Sequence, residues 1–266
     1  MTGEAAFEVT EDLLLGGRVR LAQPRGGYRA ATDPVLLAAA CPARPGERVL
    51  DLGCGVGAAA LCLHARAPGV ELHGLELQPA YAALARRNAA RNGAALTVHE
   101  GDVLRMPEAL RALQFDHVIA NPPWFAHGAA SEAADPGRDA AHREGGAALE
   151  DWIDAALRRL RPRGRLTLIH RAERLPRLLA ALEGRAGDMR VLPLAGRGGR
   201  PAKRVIVAAR KGARGPFALL APFVLHAGPR HERDADDFSA EAARVLRDAA
   251  PLPLDPGPER GGARNI

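Results

Sequence analysis

The sequence predicts an α/β fold, a doubly wound sheet that is mostly parallel and closes with an antiparallel pair. Three observations carry this. Short apolar, strand-like runs alternate with helical patterns from Arg48 to Leu182, the rhythm of a parallel sheet with helical crossovers. The stretch Arg48 to Leu61 (RVLDLGCGVGAAAL) reads as strand, glycine turn and helix in immediate succession. After Leu182 two strand-like runs, Arg190 to Leu194 and Arg204 to Ala209, are joined by a Gly/Arg loop with no helix between them, as an antiparallel pair requires.

The elements follow in order. Leu13 to Leu21, with Gly16-Gly17 in the middle, suits a small hairpin; residues before Thr10 suit a frayed end. Thr32 or Asp33 is expected to cap a helix with Pro34 at its first position. Val49, Leu50 and Leu52 form the first buried strand, and a helix after the turn runs to about Arg66. Val70 to Leu77 alternates as a second strand, and Pro79 opens a helix that Gly93 ends. Leu96 to His99 is a third strand, Met106 to Leu113 a brief helix, and Phe115 to Ala120 a fourth strand. Ala126 to Gly146 is too long for a plain connector and suits a binding lid. Leu149 to Leu160 is an amphipathic helix ended by Pro162 and Gly164; Arg165 to His170 is a fifth strand, and Ala172 to Leu182 a helix. Phe223 to His226 suits a further strand and Ser239 to Ala249 a last helix. The expected organisation is an N-terminal extension and cap over 1–47, one domain over 48–250 and a disordered Pro/Gly-rich tail over 251–266.

Composition narrows the function classes. An apolar content of 47% over 266 residues is ample for one core. No apolar run approaches the roughly 20 residues of a membrane span, and the acidic start MTGEAAFEVTEDLLL lacks a signal-peptide pattern. Cys41, Cys54 and Cys62 have no metal-ligand spacing, so reduced thiols, no bound metal and a cytoplasmic location are expected. The net charge is +6, nearly all of it arginine. Between Arg185 and Arg214 nine basic residues face a single acid, Asp188, and Gly16 to Arg29 carries four arginines and no acid. Such clusters suit a polyanionic partner, with an ordinary solvated face as the alternative.

The glycine turn brings backbone N–H groups to a ligand at a helix N-terminus. Gly53, Gly55 and Ala58 also meet the loose dinucleotide pattern, so glycines alone leave a nicotinamide enzyme open. Asp51 argues against that: an acid inside a strand end is costly unless it meets a cation or several donors. The ammonium of S-adenosyl-L-methionine is such a cation. Asp51-x-Gly53-x-Gly55-x-Gly57 resembles the first motif of the class I methyltransferases. That resemblance implies a Rossmann-like fold whose cofactor site includes Cys54 in the turn, Glu76 and Leu77 after the second strand, and Asp102 and Val103 after the third. Glu76 is placed to accept from ribose hydroxyls and Asp102 from the adenine amino group.

Asn121-Pro122-Pro123-Trp124 follows the fourth strand, across the point where strand order reverses. It resembles the N-P-P-aromatic signature of methyltransferases acting on a nitrogen conjugated to a π system. An adenine amino group is a poor nucleophile because its lone pair is delocalised. If Asn121 Oδ1 and the Pro122 carbonyl accept its two N–H bonds, the nitrogen can turn tetrahedral and attack the methyl group in line. Pro122 and Pro123 stiffen the backbone, and Trp124 offers a stacking face.

Three families share that motif. Release-factor glutamine methyltransferases carry a helical domain before the first motif, where this chain has 48 residues before Val49; adenine DNA methyltransferases add a recognition domain. From Leu14 to about Leu252 the chain resembles the bacterial valine-tRNA adenine-N6 methyltransferases, through Gln23 to Asp33, both sheet motifs, Pro201-Ala202-Lys203-Arg204-Val205 and Phe238-Ser239. The resemblance implies a tRNA partner and the cofactor's methionine end flanked by Tyr28, Thr32 and Asp33; in the basic cluster Arg200, Lys203 and Arg204 are the expected RNA phosphate contacts. A glutamine methyltransferase, a nicotinamide oxidoreductase and a catalytically silent RNA-binding relative stand as alternatives. The strand histidines His73, His99, His117 and His170 suit packing rather than catalysis, and His142 a surface cluster with Arg143 and Glu144.

Overall fold

The structure, a computed structural model, describes residues 8–26, 29–123, 147–228, 237–252 and 254. Five parallel strands form its centre: β3 (Arg48–Leu52), β4 (Glu71–Glu76), β5 (Leu96–Glu100), β6 (Phe115–Ala120) and β7 (Leu160–Arg171). With β8 (Ala186–Arg197) and β9 (Arg204–Lys211) they run in the order β5-β4-β3-β6-β7-β9-β8. β9 lies antiparallel between β7 and β8. The antiparallel pair is therefore present, but it does not end the sheet: β10 (Ala218–Leu219), absent from the sequence expectations, and β11 (Phe223–His226) both add parallel to β8. The order reverses between β3 and β6, which are hydrogen-bonded neighbours.

Alternation along each strand sends side chains to two layers. Val49 and Ile119 join the apolar cluster shared with α1 (Thr32–Ala40), α2 (Ala58–Arg66), α3 (Pro79–Arg91) and α7 (Ala240–Asp248). Leu50, Leu52, Val118 and Ala120 join the other cluster, with α4 (Glu108–Arg111), α5 (Leu149–Arg159) and α6 (Leu175–Leu182). Each fully buried leucine in these layers contributes roughly 1.5–3 kcal/mol, so the sheet is a stiff base for whatever its strand ends carry.

The hairpin of β1 (Val9–Leu14) and β2 (Val19–Pro24) is a separate two-stranded sheet. It shares the first layer's core through Val19 and Leu21. Its backbone is gripped by α3: the carboxamides of Asn88 and Asn92, one helical turn apart, each bond both the N–H and the C=O of one β2 residue, Ala22 and Arg20 respectively.

Two expectations change. α1 begins at Thr32 with Ala31 in the capping position, and Pro34 is its third residue rather than its first. The Asp33 carboxylate is drawn away from its own helix by the guanidinium of Arg204 at the start of β9. The ordered chain also runs past the expected tail boundary: Leu252 and Leu254 are buried, and the Leu252 N–H donates to the Ala39 carbonyl at 2.8 Å. The α7 start agrees, with Ser239 Oγ accepting from the Ala242 N–H at 3.1 Å.

Candidate functional site

The turn after β3 is built from two different glycine requirements. Gly53 (φ +68°) has the indole of Trp152, on α5, so close that a Cβ would lie 2.5 Å from the ring. Gly55 (φ +56°) would place a Cβ in open space; it is left-handed and bare of cover, as a backbone that meets a ligand needs to be. Glu76 holds the turn from β4. Its Oε2 accepts from the Gly55 N–H and its Oε1 from the Gln78 N–H, both at 2.9 Å. Burial raises its carboxyl above the usual range. Cys54 donates its N–H to the Leu75 carbonyl at 3.0 Å and packs its Sγ against Gly74.

Beside the turn lies a cleft of about 360 Å³, its solvent mouth included, lined by Asp51, Val56, Ala58, Asn121, Ala30 and Pro34. Asp51 and Asn121 share it because strand alternation places both on the α2 side and because β3 and β6 are neighbours. Asp51 is 4% exposed, and its Oδ2 has no hydrogen-bond partner among the described residues. Burial, and to a lesser extent the neighbouring Glu76, push its carboxyl up to about 7, with the Ala60 N–H pulling the other way. A carboxylate so placed is stabilised by a cation arriving in the cleft. The ammonium end of S-adenosylmethionine fits that need, and the uncovered Gly55 backbone fits close approach by the rest of the molecule.

The remaining sequence candidates divide. Leu77, at 52%, is an exposed apolar side chain at the end of β4, and Val103 and Asp102 are half-buried after β5. Asp102 Oδ1 accepts from the Leu104 N–H at 2.9 Å. Pro122 is buried and Pro123 exposed. Thr32 Oγ1 accepts from Arg204 at 3.2 Å. Arg204 is thus paired with Thr32 and Asp33 within the chain. Arg200 and Lys203 are exposed on the β8–β9 loop, which leaves the sheet at the edge where β3 and β6 end, since β9 starts opposite Arg171 at the end of β7. Tyr28, Trp124 and the 126–146 segment lie outside the described residues. Trp152, Ala30 and Pro34 were not anticipated as site neighbours; all three owe their place to tertiary packing and carry no local motif.

A sheet reversed between β3 and β6, a glycine turn at its switch point and a buried acid beside it define a class I S-adenosylmethionine-dependent methyltransferase. The chain belongs to the methyltransferase small domain family, whose model matches residues 31–192, and within it to the tRNA1(Val) (adenine(37)-N6)-methyltransferases. A relative of that name from Porphyromonas gingivalis is 30% identical over 88% of this chain and 98% of its own length. Another from Yersinia enterocolitica is 36% identical over 51% of this chain and 54% of its own. Among solved structures, a protein from Agrobacterium tumefaciens described as a predicted O-methyltransferase superposes with a TM-score of 0.66 at 28% identity, covering 83% of this chain and 98% of that one. The T. thermophilus 16S rRNA N2 G1207 methyltransferase, with a TM-score of 0.53 at 21% identity, covering 78% of this chain and 51% of that one, shares the fold. No helix among the described residues is long and apolar enough to cross a membrane.

Proposed function

We propose that this enzyme transfers a methyl group to the exocyclic N6 of an adenine in tRNA, the activity named for its P. gingivalis relative. The observation that carries it is the meeting of Asp51 and Asn121 in one cleft across the strand switch. One residue suits the cofactor's charge and the other the nucleophile.

S-adenosylmethionine supplies an electrophilic methyl group on a sulfonium. Asp51 takes the ammonium and so fixes the cofactor's methionine end. Glu76 and Asp102 serve the ribose hydroxyls and the adenine amino group; both Glu76 oxygens and Asp102 Oδ1 keep a second lone pair beyond the backbone bond each already accepts. Leu77 and Val103 flank the cofactor's adenine with apolar surface. Asn121 Oδ1 and the Pro122 carbonyl hold the two hydrogens of the substrate amino group, drawing its lone pair out of conjugation. No strong base is required, since one proton leaves to solvent after transfer. Trp124 stacks on the substrate base, and the exposed cations Arg200 and Lys203 meet RNA phosphates.

The test is nucleoside mass spectrometry of tRNA from a strain lacking the gene, before and after incubation with purified enzyme and S-adenosylmethionine. Loss of N6-methyladenosine and its return on incubation are expected. Unchanged N6-methyladenosine in the deletion strain would overturn the assignment.

A further inference from the structure

Two residues that line the cofactor cleft, Ala30 and Val56, are linked through the N-terminal hairpin by side-chain hydrogen bonds to adjacent residues of one strand. Gln23, on β2, is 1% exposed. Its Oε1 accepts from the Ala30 N–H at 2.7 Å, and its Nε2 donates to the Ala30 carbonyl at 3.2 Å and to Asp12 Oδ2 at 3.0 Å. A single carboxamide thereby stands in for a strand partner at a residue that lines the cleft. The preceding residue, Ala22, is held the same way from the opposite side. Asn88, wholly buried on α3, accepts from the Ala22 N–H at 2.8 Å and donates to the Ala22 carbonyl at 3.0 Å; its other N–H reaches the Val56 carbonyl at 3.0 Å. Val56 belongs to the glycine turn and lines the cleft, as Ala30 does.

We infer that Gln23 is a positioning residue for the cofactor: together with Asn88 it sets the span between Ala30 and Val56 in the lining of the cleft. All the N–H donors of both carboxamides are used, so neither can rotate without leaving a buried polar group unmet. Buried carboxamides bonded to backbone at both ends hold distances that apolar packing alone leaves adjustable. A cleft pre-set in this way loses less order when the ligand arrives. The hairpin is then a structural part of the cofactor site, although none of its residues lines the cleft. The inference concerns cofactor binding alone and stands or falls independently of which nucleic acid is methylated.

Asn92 supplies the control. It grips Arg20 on the same strand, at 2.9 and 2.8 Å, but reaches neither Ala30 nor Val56. Gln23→Met should weaken S-adenosylhomocysteine binding in calorimetry by about tenfold, the order expected for losing one pre-set contact. Asn92→Ala should leave that affinity within about twofold while lowering the melting temperature comparably. Amide exchange in the ligand-free proteins should show Ala30 deprotected in Gln23→Met and unchanged in Asn92→Ala. Should Gln23→Met fail to fold, the wild type decides: adding S-adenosylhomocysteine should slow exchange of the Ala30 amide together with those of Gly55 to Gly57. Equal affinity losses in the two variants, or an Ala30 amide indifferent to ligand, would overturn the inference.

Discussion

The two edges of the central sheet both carry carboxylates and treat them in opposite ways. At the edge where β3 and β6 begin, each carboxylate comes with a partner that can be cationic. Glu47 meets His117 at 2.9 Å, Glu71 meets both Arg48 and His73, and Asp116 takes the Arg48 backbone N–H together with the guanidinium of Arg161. At the edge where the same strands end, Asp51 and Glu76 make no ion pair among the described residues and rely on backbone amides. The first edge is finished as folded. The second leaves two buried acids without an ion pair among the described residues, a place where a ligand bringing positive charge would be stabilised.

The edges should also fail at opposite ends of the pH scale. Asp51 holds its proton more tightly folded than unfolded, so the stability it permits is full below about 3.8 and is lost as pH climbs towards about 7. His117 is pushed below its usual range, mainly by burial; its contribution is present above about 6.5 and is lost as pH falls.

The largest expected effect breaks the contrast outright. Asp51→Asn removes the buried charge, so the ligand-free variant should be more stable than wild type at pH 8 by on the order of 3 kcal/mol. Its melting temperature should vary less between pH 4 and 7, and it should no longer bind S-adenosylmethionine. A variant that melts below wild type at pH 8 would show that Asp51 has a stabilising partner. Next, Asn121→Ala should lower kcat by about 10²-fold while cofactor affinity in calorimetry stays near wild type, as losing one preorganised polar contact does. Retained turnover would make that asparagine structural. Arg204→Ala strands the Asp33 carboxylate and should cost about 2 kcal/mol in urea unfolding, less than for a wholly buried pair, without changing the salt dependence of RNA binding. The smallest effect belongs to the exposed loop. Arg200→Ala with Lys203→Ala should flatten log affinity for tRNA against log salt by roughly 0.7 per lost single-strand contact; an unchanged slope would remove this loop from the RNA path.

The alternating strands and helices from Arg48 to Leu182 were legible because most elements are punctuated locally by Gly or Pro. The turn after β3 was legible because its backbone demands glycine. What sequence could not separate is Asp33 from Asp51. Both are buried acids close to the cleft, but one has met Arg204, 171 residues away in the chain, and the other has met no cation among the described residues. The start of α1 was misplaced for the same reason. β7 begins at Leu160, before Pro162 and Gly164, which read as loop; Leu160 pairs with Phe115, and a register irregularity with Arg163 at φ +68° absorbs the breakers. Neither the β10 edge nor the approach of Trp152 to Gly53 leaves a local pattern, since both are made by packing across the chain.

That approach gives the enzyme an optical handle. The chain holds two tryptophans, and the indole of Trp152 rests on the first glycine of the cofactor turn. With Trp124→Phe, the remaining emission comes from one ring seated against the backbone that the ligand must touch. Its wavelength and quenching would follow cofactor arrival in a stopped-flow instrument with no label, no RNA and no turnover.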